Sequence, residues 1–100
     1  MFKWVVLLNV IVSVESGNNP ELIGKAGERG ITQIRQICLN EVNEWEETSY
    51  TLEDCANHNA IARFVCFKYL KRYKDNWERK MNRTAGYEVL CRIWNGGPDG

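Results

Sequence analysis

Glu15 closes an apolar segment that begins at Trp4, and Ser16-Gly17-Asn18-Asn19-Pro20 then breaks that segment. In a helix over 4–15, Leu8, Ile11, Val12 and Glu15 fall at the i, i+3, i+4, i+7 spacing of one face. A carboxyl on that core-facing stripe loses hydration, which disfavours its charge and keeps its proton to higher pH, as a general acid requires. The same position also suits a carboxylate in a last helical turn that points into water, and periodicity alone favours this plainer reading. Other chemistry is sparsely supplied. His58 is the lone histidine, and Cys38, Cys55, Cys66 and Cys91 include no C-x-x-C pair, so no zinc set is expected.

The elements that must position Glu15 follow from the rest of the chain. Residues 17–30, rich in Gly, Asn and Pro, read as a loop wrapping back towards Glu15. Gly17, Gly24, Gly27 and Gly30 there permit positive φ or a close backbone approach. Ile37, Cys38, Val42 and Trp45 predict an amphipathic helix from Gln36 to Trp45. Thr51-Leu52-Glu53-Asp54 reads as a helix start with an acidic first turn. The longest helix is expected from Ala60 to Tyr73, with Ala62, Val65, Cys66, Tyr69, Leu70 and Tyr73 inward and Ile61 and Phe64 widening that stripe. Residues 75–83 read as polar and irregular, with at most a helical turn at Trp77. Thr84 is the expected cap of a last helix, Ala85 to Trp94, which Asn95-Gly96-Gly97-Pro98 ends. The whole is a mainly α chain of one domain, 1–100.

Lys plus Arg and Asp plus Glu number 13 each. No global basic field points to nucleic acid, which is not an expected partner. The N-terminal run to Val14 imitates a signal peptide, yet it is too short to span a bilayer and lacks a small-x-small cleavage site. Cutting after Ser13 or Ser16 would discard the helix carrying Glu15, or Glu15 itself. A retained, buried helix is therefore expected, without stable membrane insertion, and export by such a segment stays open. The four cysteines are compatible with two disulfides in any of three connectivities. The apolar contexts of Cys38, Cys66 and Cys91 predict buried free thiols instead. A monomer is expected.

Glu15-Ser16-Gly17, then Gly27-Glu28-Arg29-Gly30-Ile31-Thr32-Gln33-Ile34, then Ile93-Trp94-Asn95-Gly96-Gly97-Pro98 occur in an order and spacing that carry a family resemblance. The chain resembles the lysozyme-like lytic transglycosylases, which cut the glycan strands of peptidoglycan. In that family E-S-G is followed by G-A-x-G-L-M-Q-[IL] and later by A-Y-N-x-G. The I-W-N-G-G-P variant is similar to a small transglycosylase-like group of phage and bacterial genomes. The resemblance runs from about Val5 to Gly100. It implies a helical domain of the goose-type lysozyme/lytic transglycosylase kind, minimal or truncated after the last motif, since similar members continue there. It also implies peptidoglycan strands as partner, no cofactor or metal, and action at the cell wall, in the periplasm or outside the cell.

Roles follow residue by residue. Glycosidic cleavage needs a proton for the leaving oxygen, and a conventional hydrolase needs a second carboxylate. Glu15 matches the family's catalytic acid, which works alone: it gives a proton, takes one from the muramoyl C6 hydroxyl, and a 1,6-anhydro product forms. Candidate second carboxylates are Glu21 and Glu28, with Glu53 and Asp54 further off. Ser16 would hydrogen-bond the substrate or orient Glu15, or merely close the helix. Gln33 would hold the sugar or the cleft wall. Asn95 would bond beneath the cleft or cap the helix. Trp94 stands where the family has Tyr; an indole donates but neither accepts nor ionises, so Tyr50 or Tyr87 is the candidate phenol. Two rival readings are a non-catalytic peptidoglycan-binding or structural module with a degenerate cleft, and a small secreted disulfide-bonded protein.

Overall fold

A computed structural model of the protein describes residues 2–97. Among these residues five helices follow one another: α1 (Trp4–Ser16), α2 (Gln36–Glu46), α3 (Leu52–Asn57), α4 (Asn59–Met81) and α5 (Tyr87–Gly96). No strand forms among the described residues; a single antiparallel bridge joins Arg29 and Ile34. No helix among them is long and apolar enough to cross a membrane.

α4 is the hub, packing against each of the other four helices, and α1 also packs against α5. Its inward stripe of Ala62, Val65, Cys66, Tyr69 and Leu70 is buried, at the spacing of one helical face. α1 answers with Leu7, Leu8, Ile11 and Val12, and α5 with Leu90, Ile93 and Trp94. Polar bonds at the rim of this core fix the helices' relative placement. Arg63 of α4 donates to Asn9 Oδ1 on α1 at 2.7 Å, and Tyr73 donates to Glu41 Oε1 on α2 at 2.6 Å.

α1 ends as its sequence dictates. Gly17 takes the left-handed conformation (φ 60°), and the amides of Gly17 and Asn18 close on the carbonyls of Ser13 and Val12. α3 begins with a capping box: Thr51 Oγ1 accepts from the Asp54 amide while an Asp54 carboxylate oxygen accepts from the Thr51 amide.

Several expectations need correction. The longest helix does not stop at Tyr73, and residues 75–81 are helical rather than irregular. Nothing in that stretch is Gly or Pro, and i, i+4 ion pairs carry the helix where its apolar stripe thins: Lys71 to Asp75 at 3.7 Å and Lys74 to Glu78 at 2.6 Å. Arg79 and Lys80 lie in the last turn, where cations suit the helix dipole.

Nor does Thr84 cap the last helix. Thr84 is exposed, Gly86 is the N-cap, and α5 starts at Tyr87. Ala85 is instead a fully buried plug in the core, its amide bonded to Glu78 Oε2 at 2.8 Å. At its far end α5 runs through Asn95 and Gly96 and stops at Gly97 (φ 85°), so Asn95 is not the C-cap. Pro98, the last residue of the third motif, lies outside the described residues. Cys38, Cys55 and Cys66 are buried free thiols, as the apolar contexts of two of them predict, and Cys91 is a half-buried one.

Candidate active site

The segment between α1 and α2 is held by side-chain and backbone bonds rather than by periodicity. Arg29 and Ile34 exchange both amide–carbonyl bonds, at 3.1 and 2.8 Å, making a tight loop that drives Ile31, Thr32 and Ile34 into the core. Gly30 permits it twice over. Its φ of 83° is left-handed, and an added Cβ would lie 2.8 Å from the Cys55 carbonyl oxygen. The loop meets the end of α1 through Ser16, whose Oγ donates to the Ile31 carbonyl at 2.7 Å. It meets α5 through Trp94, whose indole N–H donates to the Thr32 carbonyl at 2.8 Å. A guanidinium nitrogen of Arg35 then donates to the Trp94 carbonyl at 3.0 Å. The three motif segments, far apart in sequence, are thus bonded to one another in space.

A groove of about 320 Å³ runs between α1 and α5, lined by Val10, Val14 and Glu15 on one side and Glu88, Cys91, Arg92, Trp94 and Asn95 on the other. Glu15 is half-buried in it. Burial, first, and then the negative charge of Glu28 raise its carboxyl above the usual range, while the Arg35 guanidinium partly offsets them. A carboxyl whose acid form is favoured in this way is suited to give a proton to a ligand in the groove. Desolvation and, secondarily, Glu15 also raise the Cys91 thiol, which disfavours the thiolate needed for nucleophilic work. Among the described residues no group of three or more His, Cys, Asp or Glu is arranged to hold a metal ion.

The other candidates divide. Asn95 is exposed and lines the groove with Glu15. Trp94 lines it as a buried wall, and its one donor is spent on Thr32. Ser16 does not offer its proton to the groove; that proton ties Glu15's neighbour to Ile31. Gln33 is buried, with its amide nitrogen donating to the carbonyls of Leu22 and Gly30, so it clamps the loop and is not among the groove-lining residues. Tyr50 is not brought to the groove either. Its ring rests against Phe64 in the α2–α3 connection, and its backbone is held by Asn43. The Tyr87 hydroxyl accepts from the Lys3 amide at 2.8 Å. The phenol that does reach Trp94 is Tyr69, ring to ring edge-on at 5.6 Å, its hydroxyl pushed well up by burial.

Among the carboxylates weighed as a second acid, Glu28 is the one whose charge acts on Glu15. Asp54 is committed to its capping box, whose hydrogen bonds from Thr51 hold it below the usual carboxylate range. Arg35 and the Glu88, Cys91, Arg92 side of the groove escaped the sequence reading. The α5 stripe was legible, since 88, 91, 92 and 95 share one helical face. Arg35, the residue after the second motif, had no such signal. Comparison of this chain with family models, curated proteins and solved structures finds no match.

Proposed function

We propose that the protein is a peptidoglycan lytic transglycosylase with a lysozyme-like helical domain. What supports this reading is that the three resembling segments are bonded to one another through the Ser16–Ile31 and Trp94–Thr32 bonds, with Arg35 bonded to Trp94, while Glu15, the residue before Ser16, lines an apolar-walled groove with Trp94. Glu15 donates its proton to the glycosidic oxygen linking N-acetylmuramic acid to the next sugar, and the C1–O bond breaks with oxocarbenium character at C1. The resulting carboxylate removes the proton of the muramoyl C6 hydroxyl, whose oxygen closes on C1. The leaving sugar departs with a hydroxyl, and no water is consumed. The C6 hydroxyl is an intramolecular nucleophile, favoured by a high effective concentration.

The test is mass spectrometry of peptidoglycan digested by the purified protein. The expected products are 1,6-anhydromuramoyl fragments, one water lighter than hydrolysed ones and without a reducing end. Glu15→Gln keeps the side chain's shape but cannot supply a proton, and cleavage should fall by roughly 10²–10⁴-fold. Activity within a few-fold of the unmodified protein would remove Glu15 from the reaction. Binding to peptidoglycan without cleavage would leave the non-catalytic module.

A further inference from the structure

α1 and α5 run side by side in the same direction. At their starts the Lys3 amide donates to the Tyr87 hydroxyl at 2.8 Å, and at their ends Ser16 and Trp94 bond to the adjacent carbonyls of Ile31 and Thr32. That register orders the groove between them. Val10 and Glu88 lie towards the starts of the two helices, and Glu15, Arg92 and Asn95 lie towards the ends. Glu88, Arg92 and Asn95 are spaced i, i+4, i+7 on one face of α5, so Arg92 stands about 6 Å further along the axis than Glu88. Arg92 is exposed and is the one cation among the lining residues. Glu88 precedes it in the order that favours an i, i+4 ion pair, yet no carboxylate pairs with Arg92 among the described residues. Arg35, the other guanidinium at this end of α5, donates to the Trp94 carbonyl and does not line the groove.

Along a peptidoglycan strand the charge is confined to the muramoyl residue. Its C3 lactyl arm ends in a carboxyl that is either free or amide-linked to a stem peptide with carboxylates of its own. The N-acetylglucosamine residues beside it are neutral. We propose that Arg92 is a specificity-determining residue: it pairs with a carboxylate borne by the muramoyl residue, on the lactyl arm or its stem peptide, and so places that residue, not its neutral neighbour, at the acid. This rests on the reading of Glu15 as the acid of a lytic transglycosylase and deepens it by naming the substrate group that is read. A guanidinium fork matches a carboxylate in geometry as well as charge. Glu88 sorts in the opposite sense, since a turn further from the acid its own charge repels a carboxylate and tolerates a neutral sugar. The facing α1 wall, exposed at Val10 and Val14, offers apolar surface to methyl groups and ring faces.

Soluble glycan strands of three kinds test this: strands bearing stem peptides, peptide-free strands with their lactyl carboxylates exposed, and peptide-free strands whose lactyl carboxyls are amidated and uncharged. The unmodified protein should cleave at least one charged kind with kcat/KM about ten- to a hundred-fold above the uncharged kind. Which charged kind it prefers assigns the carboxylate to the lactyl arm or to the peptide. Arg92→Gln should abolish the preference, and Arg92→Lys, which keeps the charge without the fork, should restore part of it. No preference in the unmodified protein overturns the proposal. So does a preference that survives Arg92→Gln, including an equal loss on all three kinds, the mark of a merely structural role. Calorimetric binding of the same strands to Glu15→Gln, with and without Arg92→Gln, asks the question without turnover. If the unmodified protein cleaves none of the three, the transglycosylase reading fails. The binding preference then decides the proposal by itself: abolished by Arg92→Gln it upholds the role of Arg92, and absent it overturns it.

Discussion

α4 and the 17–35 segment bury side chains in the same core but are held there by different means. In α4 every backbone bond is local, the inward stripe repeats at helical spacing, and its polar second half is carried by i, i+4 ion pairs. In the 17–35 segment the backbone takes positive φ at Gly17, Asn18, Gly27, Gly30 and Gln33. Its order depends on single bonds to distant partners: Ser16 to Ile31, Thr32 to Ala62, Trp94 to Thr32. A periodic element tolerates the loss of one bond because its neighbours repeat the interaction. An aperiodic one does not, since each bond fixes a different residue. The candidate acid sits at the seam between the two kinds of structure, in the last turn of α1 and one residue before the Ser16 bond to the loop.

The largest effect should come from the hub. Leu70 is fully buried at the centre of α4, and Leu70→Ala is expected to cost about 2–5 kcal/mol of global stability, read as a lowered denaturation midpoint in urea. The loss should reduce amide-exchange protection in all the helices together; protection lost in α4 alone would deny it the role of hub. Gly30→Ala is expected to cost less, about 1–3 kcal/mol, from a left-handed φ and a methyl pressed against the Cys55 carbonyl. Here the amides of Arg29 and Ile34 should lose protection while those of α4 keep theirs. Equal losses in both would erase the distinction between the two regions.

The smallest effect concerns Glu15 itself. Its folded-state pKa is raised, so its contribution to stability is present below the unfolded carboxyl value and lost as pH rises through the folded one. Glu15→Gln should therefore be the more stable protein near neutral pH, by less than about 1 kcal/mol because water screens a half-exposed carboxyl. The advantage should vanish in acid. Thermal melts at the two pH values check this, and a variant less stable at neutral pH would mean that the fold favours the charged carboxylate.

Legibility in the sequence followed the same division. The α1 and α2 boundaries are readable within a residue, because apolar spacing is a local signal, and so is the glycine stop of α1. The second half of α4 was misread because its helix is polar, although Lys71, Lys74, Asp75 and Glu78 stood at the right spacing to pair. Thr84 suits a cap by residue type alone, since Thr is a frequent N-cap. Ala85 is fully buried in the core, and the helix starts two residues later, at Tyr87. For the site, Glu15 and Asn95 line the groove as their helical registers allow, whereas Gln33 and Tyr50 do not. Their side chains serve partners that only the folded chain brings near: Leu22 and Gly30 for one, Phe64 for the other.

The sequence by itself determined a helical chain, the stripe that buries α1 against its neighbours, and a carboxyl placed at the end of that stripe. These depend on interactions within a turn or two, which neighbouring residues specify on their own. Only the tertiary structure decided that Glu15 is half-buried in a groove between α1 and α5, with Arg35 bonded to the Trp94 carbonyl, and that the Trp94 donor is spent on a backbone carbonyl. Charge and hydrogen bonding act through space, and which groups come within reach is set by how α1, α5 and the loop pack, not by their spacing along the chain.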